Sequence, residues 1–139
     1  MTTPLPTRGQ LERTLSQRIQ ALYRNQLGHR LSEVDCNILD TKIAIVLEQS
    51  VTQPEQILAG KGNSELAAAV HSELDDAIQP QLKELIEEVM GVSVVDFFSD
   101  VTLQTERTGI IAVLSEAPQL RESASGGATV RNRAAMNKP

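Results

Sequence analysis

Two histidines, one cysteine and a set of carboxylates are the groups in this 139-residue chain whose types suit them to chemistry. His71 and Asp75 stand four apart, as do Glu84 and Glu88, and on a helix each pair shares a face where two ligands could meet a metal ion. Neither pair brings a third or fourth ligand, so both are expected on a solvated acidic face. Asp96 and Asp100 fall on one side of a strand, but the extended chain between them spans roughly 13 Å, too far to share a proton or clamp one water. They could still flank a ligand. His29 and His71 have no neighbouring nucleophile, and no G-x-S-x-G or Cys/His signature occurs. The expectation is a chain that is not an enzyme, with no metal and no cofactor.

Two further groups need a reading. Cys36 alternates with Asp35 and Asn37 on the apolar side of a strand, which predicts a small buried core residue rather than a reactive thiol. The loop Gly60, Lys61, Gly62, Asn63, Ser64 precedes a long helix. Its backbone N–H groups could bind an anion, although the G-x-x-x-x-G-K-[ST] phosphate loop is absent. An ordinary flexible connection is the competing reading.

Composition narrows the classes. Aromatic residues are only 2% of the chain, namely Tyr23, Phe97 and Phe98, so the core must rest on Leu, Ile, Val and Ala, and stacking of single-stranded nucleic acid has no platform. One cysteine excludes an internal disulfide and fits a reducing compartment, and no run of about 18 apolar residues or signal-peptide core is present. These features predict a cytoplasmic protein that does not insert in a membrane. Between Arg8 and Arg30 five arginines face Glu12 alone, whereas between Glu33 and Asp100 fourteen acids face three lysines. A basic helix and an acidic helix are therefore expected to neutralise each other, within one molecule or across a dimer. Net acidity argues against nucleic acid as a partner.

The elements that must position these groups follow from periodicity. After a flexible lead at residues 1–7, Leu11, Leu15, Ile19, Leu22 and Tyr23 form one stripe on a helix that Gly28 ends. Val34, Cys36 and Ile38, then Ile43, Ile45 and Leu47, alternate as a β-hairpin turning at Asp40 to Lys42. Thr52 and Glu55 read as a capping box with Pro54 in the first turn. Leu66, Val70, Leu74, Ile78, Leu82, Leu85 and Val89 make the stripe of a helix about 40 Å long, capped by Asn63 or Ser64 and stopped at Gly91. Pro80 predicts a kink, or a complete break at Gln79. The final hairpin has Val95, Phe97, Val101 and Leu103 on one face and Asp96, Phe98, Asp100 and Thr102 on the other, followed by the apolar strand IIAVLS suited to the inside of a sheet. Phe98 is then an aromatic on a polar face, available for a dimer contact.

The expected fold is a two-layer α+β domain over residues 8–117, in the order α-β-β-α-α-β-β. A four-stranded, mainly antiparallel sheet of two hairpins carries its helices on one face. Strand order stays open, as does whether the hairpins join within one chain or across a dimer. Residues 118–139 have the composition of a disordered basic tail.

Three segments carry a family resemblance: LERTLSQRIQALYRNQLGH, TQPEQILAG, and IQPQLKELIEEVMGVSVVDFFSDVTLQTERTGIIAVL. With them the stretch from Thr7 to Ala117 resembles the MpsC-type family of small bacterial domains, described as part of a sodium-translocating, membrane-potential-generating system. The resemblance brings no catalytic residues to transfer. It implies an accessory role beside membrane ion or inorganic-carbon transport. Together these readings point to a non-catalytic interaction or regulatory domain, homodimeric, with a membrane-transport protein as partner and with Phe98, Arg13, Arg18 and Arg24 as contact residues. The alternative is a small cytosolic sensor that binds an anionic ligand or nucleotide at Gly60–Ser64.

Overall fold

Period-two alternation builds a sheet with one packed side. In the computed structural model, which describes residues 4–121, β1 (Glu33–Leu39) alternates exposed and buried residues without exception. It pairs antiparallel with β2 (Lys42–Glu48) across a two-residue turn at Asp40 and Thr41, where Asp40 takes the left-handed conformation with φ 61°. β3 (Val94–Thr102) pairs in the same way with β4 (Arg107–Leu114). The two hairpins join through β2 and β4, which gives the order β1-β2-β4-β3 within one chain. The apolar strand ending in Leu114 thus lies inside the sheet, as its composition predicts.

Three helices complete the order: α1 (Arg8–Leu27), α2 (Gln53–Gly60) and α3 (Ser64–Met90). One continuous core joins Leu11, Leu15, Ile19 and Tyr23 of α1 and Ile78, Leu82, Ile86 and Met90 of α3 to Ile38, Ile43, Ile45, Leu47, Ile110 and Leu114 of the sheet. α1 also covers an edge. The Ser16 hydroxyl donates to the Val34 carbonyl at 2.7 Å, and the Ile38 N–H donates to Glu12 Oε2 at 2.8 Å, so outward groups of β1 are satisfied by a helix instead of a second sheet.

Several local expectations change. Thr7 is not part of a free lead but caps α1, in a reciprocal box with Gln10. Asn63 occupies the N-cap of α3, yet its side chain makes no capping bond. α3 runs through Pro80 as one 27-residue helix, without the break at Gln79, because Ile78 and Leu82 are both anchored in the core. Its expected stripe holds only from Ile78 onward. Leu66 is exposed and Val70 and Leu74 are half-buried, while Ile86 and Met90 are buried. The cause is length, since a helix of about 40 Å is longer than strands of seven to nine residues, and not all of its stripe can lie on the sheet. A register shift between Val94 and Asp96 turns Val95 outward, so Val94 takes the buried place assigned to it.

Residues 118–121 lie against the domain. Pro118 is buried, Leu120 packs on the core and the Arg121 N–H donates to the Pro6 carbonyl at 2.7 Å. The remainder of the expected tail, 122–139, falls outside the described residues.

Candidate functional site

Two places in the molecule carry more than architecture. The first is a small cleft lined by Tyr23, Leu27, Ser50, Thr52, Glu55, His71, Leu74, Asp75 and Ile78, where α1, α2 and α3 meet above the sheet. The capping residues place Glu55 here. Its Oε2 accepts the Thr52 backbone N–H at 2.9 Å and the Thr52 hydroxyl at 2.6 Å, and its Oε1 lies 2.6 Å from Nδ1 of His71, which donates. Glu55 is 1% exposed and is the one buried side chain of α2. Burial works against its charge, but the hydrogen bonds from His71 and Thr52 prevail and hold its carboxyl below the usual carboxylate range.

The bond to Glu55 raises the pKa of His71. Burial opposes the rise, and the negative charges of Glu55, Asp75 and Asp100 reinforce it. Burial pushes Asp75 upward, with the charge of Asp76 adding to the shift and His71 and the Ser99 hydroxyl working against it. Tyr23 is also raised, first by burial and then by Asp75 and Glu55. Beside the cleft the Ser50 and Thr108 hydroxyls bond each other at 2.7 Å. His71 and Asp75 do share a helix face, but that face looks into the cleft and not into solvent, which corrects the expectation of a solvated pair. The missed partner was Glu55. Its second carboxylate oxygen, left over by the capping box, was the available signal.

The second place is the uncovered side of the sheet. Its cross-strand rows follow from the register: Glu33, Glu48, Arg107, Thr102; then Asp35, Val46, Gly109, Asp100; then Asn37, Ala44, Ile111, Phe98; then Leu39, Lys42, Val113, Asp96. Phe98 is 58% exposed and Ile111 42%, and they are direct cross-strand neighbours. Ala44, Val46 and Val113 continue this patch at partial exposure. Gly109 sits among them, and a Cβ there would meet nothing within 4 Å, so nothing in this chain demands glycine at that strand position. Asp96 and Asp100 flank Phe98 on the same face, as alternation predicts.

The remaining residues singled out from sequence are dispersed. Arg13 and Arg24 are exposed on α1, and Arg18 bonds Glu88 of α3, the one expected charge pairing the structure makes between these helices. Gly60, Lys61, Gly62, Asn63 and Ser64 are all exposed. The N–H groups of Lys61, Gly62 and Asn63 donate to carbonyls of Ile57, Leu58 and Ala59, which closes the end of α2. His29 bonds the Gln49 carbonyl. Cys36 is buried, and burial followed by the charges of Glu12 and Asp35 pushes its thiol up to about 12. Among the described residues no group of three or more His, Cys, Asp or Glu side chains is arranged to hold a metal ion, and no helix is long and apolar enough to cross a membrane.

Comparison with known proteins bears on the whole of this arrangement. No curated protein and no solved structure matches the chain. One family model does, described as "MpsC: Na+-translocating membrane potential-generating system (MpsC)", over residues 7–116. The matched stretch opens at Thr7, the cap of α1, and closes two residues past β4, so it takes in all seven elements and both places described above. The chain belongs to the MpsC family.

Proposed function

We propose that this chain is a non-catalytic interaction domain that acts in the cytoplasm as a homodimeric accessory factor, beside a membrane system for ion or inorganic-carbon transport. The observation that carries the reading is the open side of the sheet. An antiparallel sheet with one packed side normally turns polar residues outward, and here Ala44, Val46, Ile111, Val113 and Phe98 occupy those positions. A contiguous apolar patch with a charged rim marks a protein contact.

Gly109 supports the same conclusion. Glycine weakens a strand, and its open space on this face leaves room for a side chain of a second copy beside Phe98 and Ile111. The rim carries Glu33, Asp35, Glu48, Asp96 and Asp100 against Lys42 and Arg107, so two such faces repel at long range and are held by their apolar centres. Four strands of this length present roughly 500 Å² per copy, or about 1,000 Å² for a pair, the low end for a specific contact. The dimer is accordingly expected to be weak, with a Kd of about micromolar order.

Size-exclusion chromatography with light scattering across micromolar concentrations tests this reading. A monomer throughout removes the self-association half of it. Binding of an anion at Gly60–Ser64 is the other reading. With three N–H groups of that loop already donating to α2, it rests on the first turn of α3 and the Lys61 ammonium. A thermal-shift series with anionic metabolites separates the two.

A further inference from the structure

α2 is an eight-residue helix whose one buried side chain is a carboxylate. Ile57 faces solvent at 52% exposure, so apolar burial does little to hold this helix down. The part of α3 that α2 packs against is similarly thin. From Ser64 to Ala77 the one buried residue is Ala67, and Leu66 is 45% exposed. From Ile78 to Met90, in contrast, the helix is anchored by five core residues. The molecule thus has a well-held body and a lightly held pair of helices, and among the described residues the one side-chain hydrogen bond between α2 and α3 is Glu55 to His71.

We propose that α2 and the first half of α3 form a flap latched by the His71–Glu55 bond, closed while His71 carries a proton and loosened when the proton leaves. Every element packed around His71 contributes to this behaviour. α2 brings Glu55, α3 brings Asp75 one turn away, and β3 brings Ser99, whose hydroxyl points at Asp75, while the charge of Asp100 acts from the other side of the strand. α1 brings the Tyr23 hydroxyl, while Ser50 and Thr108 of β4 are satisfied by each other. Among the described residues His71 is the one basic side chain within ion-pair distance of Glu55.

With the ring protonated, one cation stands beside two carboxylates in the cleft, Glu55 and Asp75. With the ring neutral, Nδ1–H still donates, but Glu55 is left as a buried anion with no opposite charge. Since the folded protein raises the pKa of His71, the change lies above the ordinary histidine value. The flap is closed on the acid side of that midpoint. Opening it frees the cleft and the Tyr23, Leu27, Leu74 and Ile78 side chains that line it, a surface separate from the open side of the sheet.

Solution NMR on the full chain tests the latch by following the His71 ring resonance and the amide exchange of α2 through one pH series. The expected result is that exchange protection in α2, corrected for base catalysis and compared with Leu82–Met90, falls about tenfold or more as the ring loses its proton. In Asp75→Asn the ring midpoint and the α2 transition move down in pH together. In His71→Gln and Glu55→Gln the protection ratio does not vary with pH. An α2 ratio that stays constant through the titration of the wild-type ring overturns the proposal, whether or not the variants fold.

Discussion

Nδ1 of His71 lies 2.6 Å from Oε1 of Glu55, and this one contact ties the first half of α3 to the only buried side chain of α2. A carboxylate and an imidazole meeting in a cleft invite a catalytic reading. What surrounds them is a set of partners that satisfy the carboxylate fully: two bonds from Thr52 on one oxygen and the ring on the other. The pair is built to hold helices together.

The first prediction concerns pH and stability. A raised histidine pKa stabilises the fold fully below the unfolded value and loses that contribution as pH rises through the folded one. The lowered Glu55 pKa stabilises above the unfolded carboxylate value and is lost as pH falls through the folded one. Stability from the pair is therefore greatest between the ordinary carboxylate value and the ordinary histidine value, and on the alkaline side it is lost as pH rises through the folded histidine value. Thermal melts across this range should show a plateau with a decline on each side, and His71→Gln should lower the plateau by about 2–3 kcal/mol while removing the alkaline decline.

The second prediction separates the two halves of α3. Ile86→Ala, at 0% exposure in the core, should cost about 2–5 kcal/mol in urea unfolding, whereas Leu66→Ala at an exposed site in the first half should stay within about 0.5 kcal/mol. Equal losses at the two sites would mean that the first half of the helix is as firmly packed as the second.

This difference also marks how far the sequence could be read. Period and caps were enough for the seven elements, the two hairpins, the buried side of β1 and β2 and the stop at Gly91, because each depends on neighbours close in the chain. The stripe of α3 misled before Ile78, since periodicity reports which residues share a face but not where the sheet beneath them ends. Val95 was misplaced by a bulge that adds one residue to β3 and leaves no mark in the pattern. Strand order joins residues far apart and a single chain carries no local signal for it, while for the Glu55–His71 bond the local signal is confined to the carboxylate oxygen that the capping box leaves over. The Thr7–Gln10 box is legible as a T-x-x-Q start, next to prolines whose composition points instead to a flexible lead.

A third prediction addresses the helix stop. Gly91 has φ 74°, and its N–H donates to the Glu87 carbonyl at 2.8 Å. Open space surrounds the position, so Gly91→Ala should cost about 1 kcal/mol through backbone conformation alone. Gly60→Ala, at a glycine without positive φ, should have little effect. Chemical denaturation of the two variants checks the contrast.

The fourth prediction is chemical. Cys36 is buried and its thiol is pushed up to about 12, so a thiol reagent at neutral pH should label the native chain at the rate of unfolding and not at the rate of a free thiol. Labelling that becomes rapid only in denaturant is the expected pattern. Fast labelling of the native protein would place Cys36 outside the core.

The central claim is that the open side of the sheet is the contact between two copies, and sedimentation equilibrium of the wild type beside Phe98→Asp measures it most directly. The expected result is a wild-type monomer–dimer equilibrium with a Kd of about micromolar order, and a Phe98→Asp variant that is monomeric at the same concentrations with an unchanged melting temperature. A wild type that remains monomeric, or a dimer that Phe98→Asp leaves intact, would contradict it.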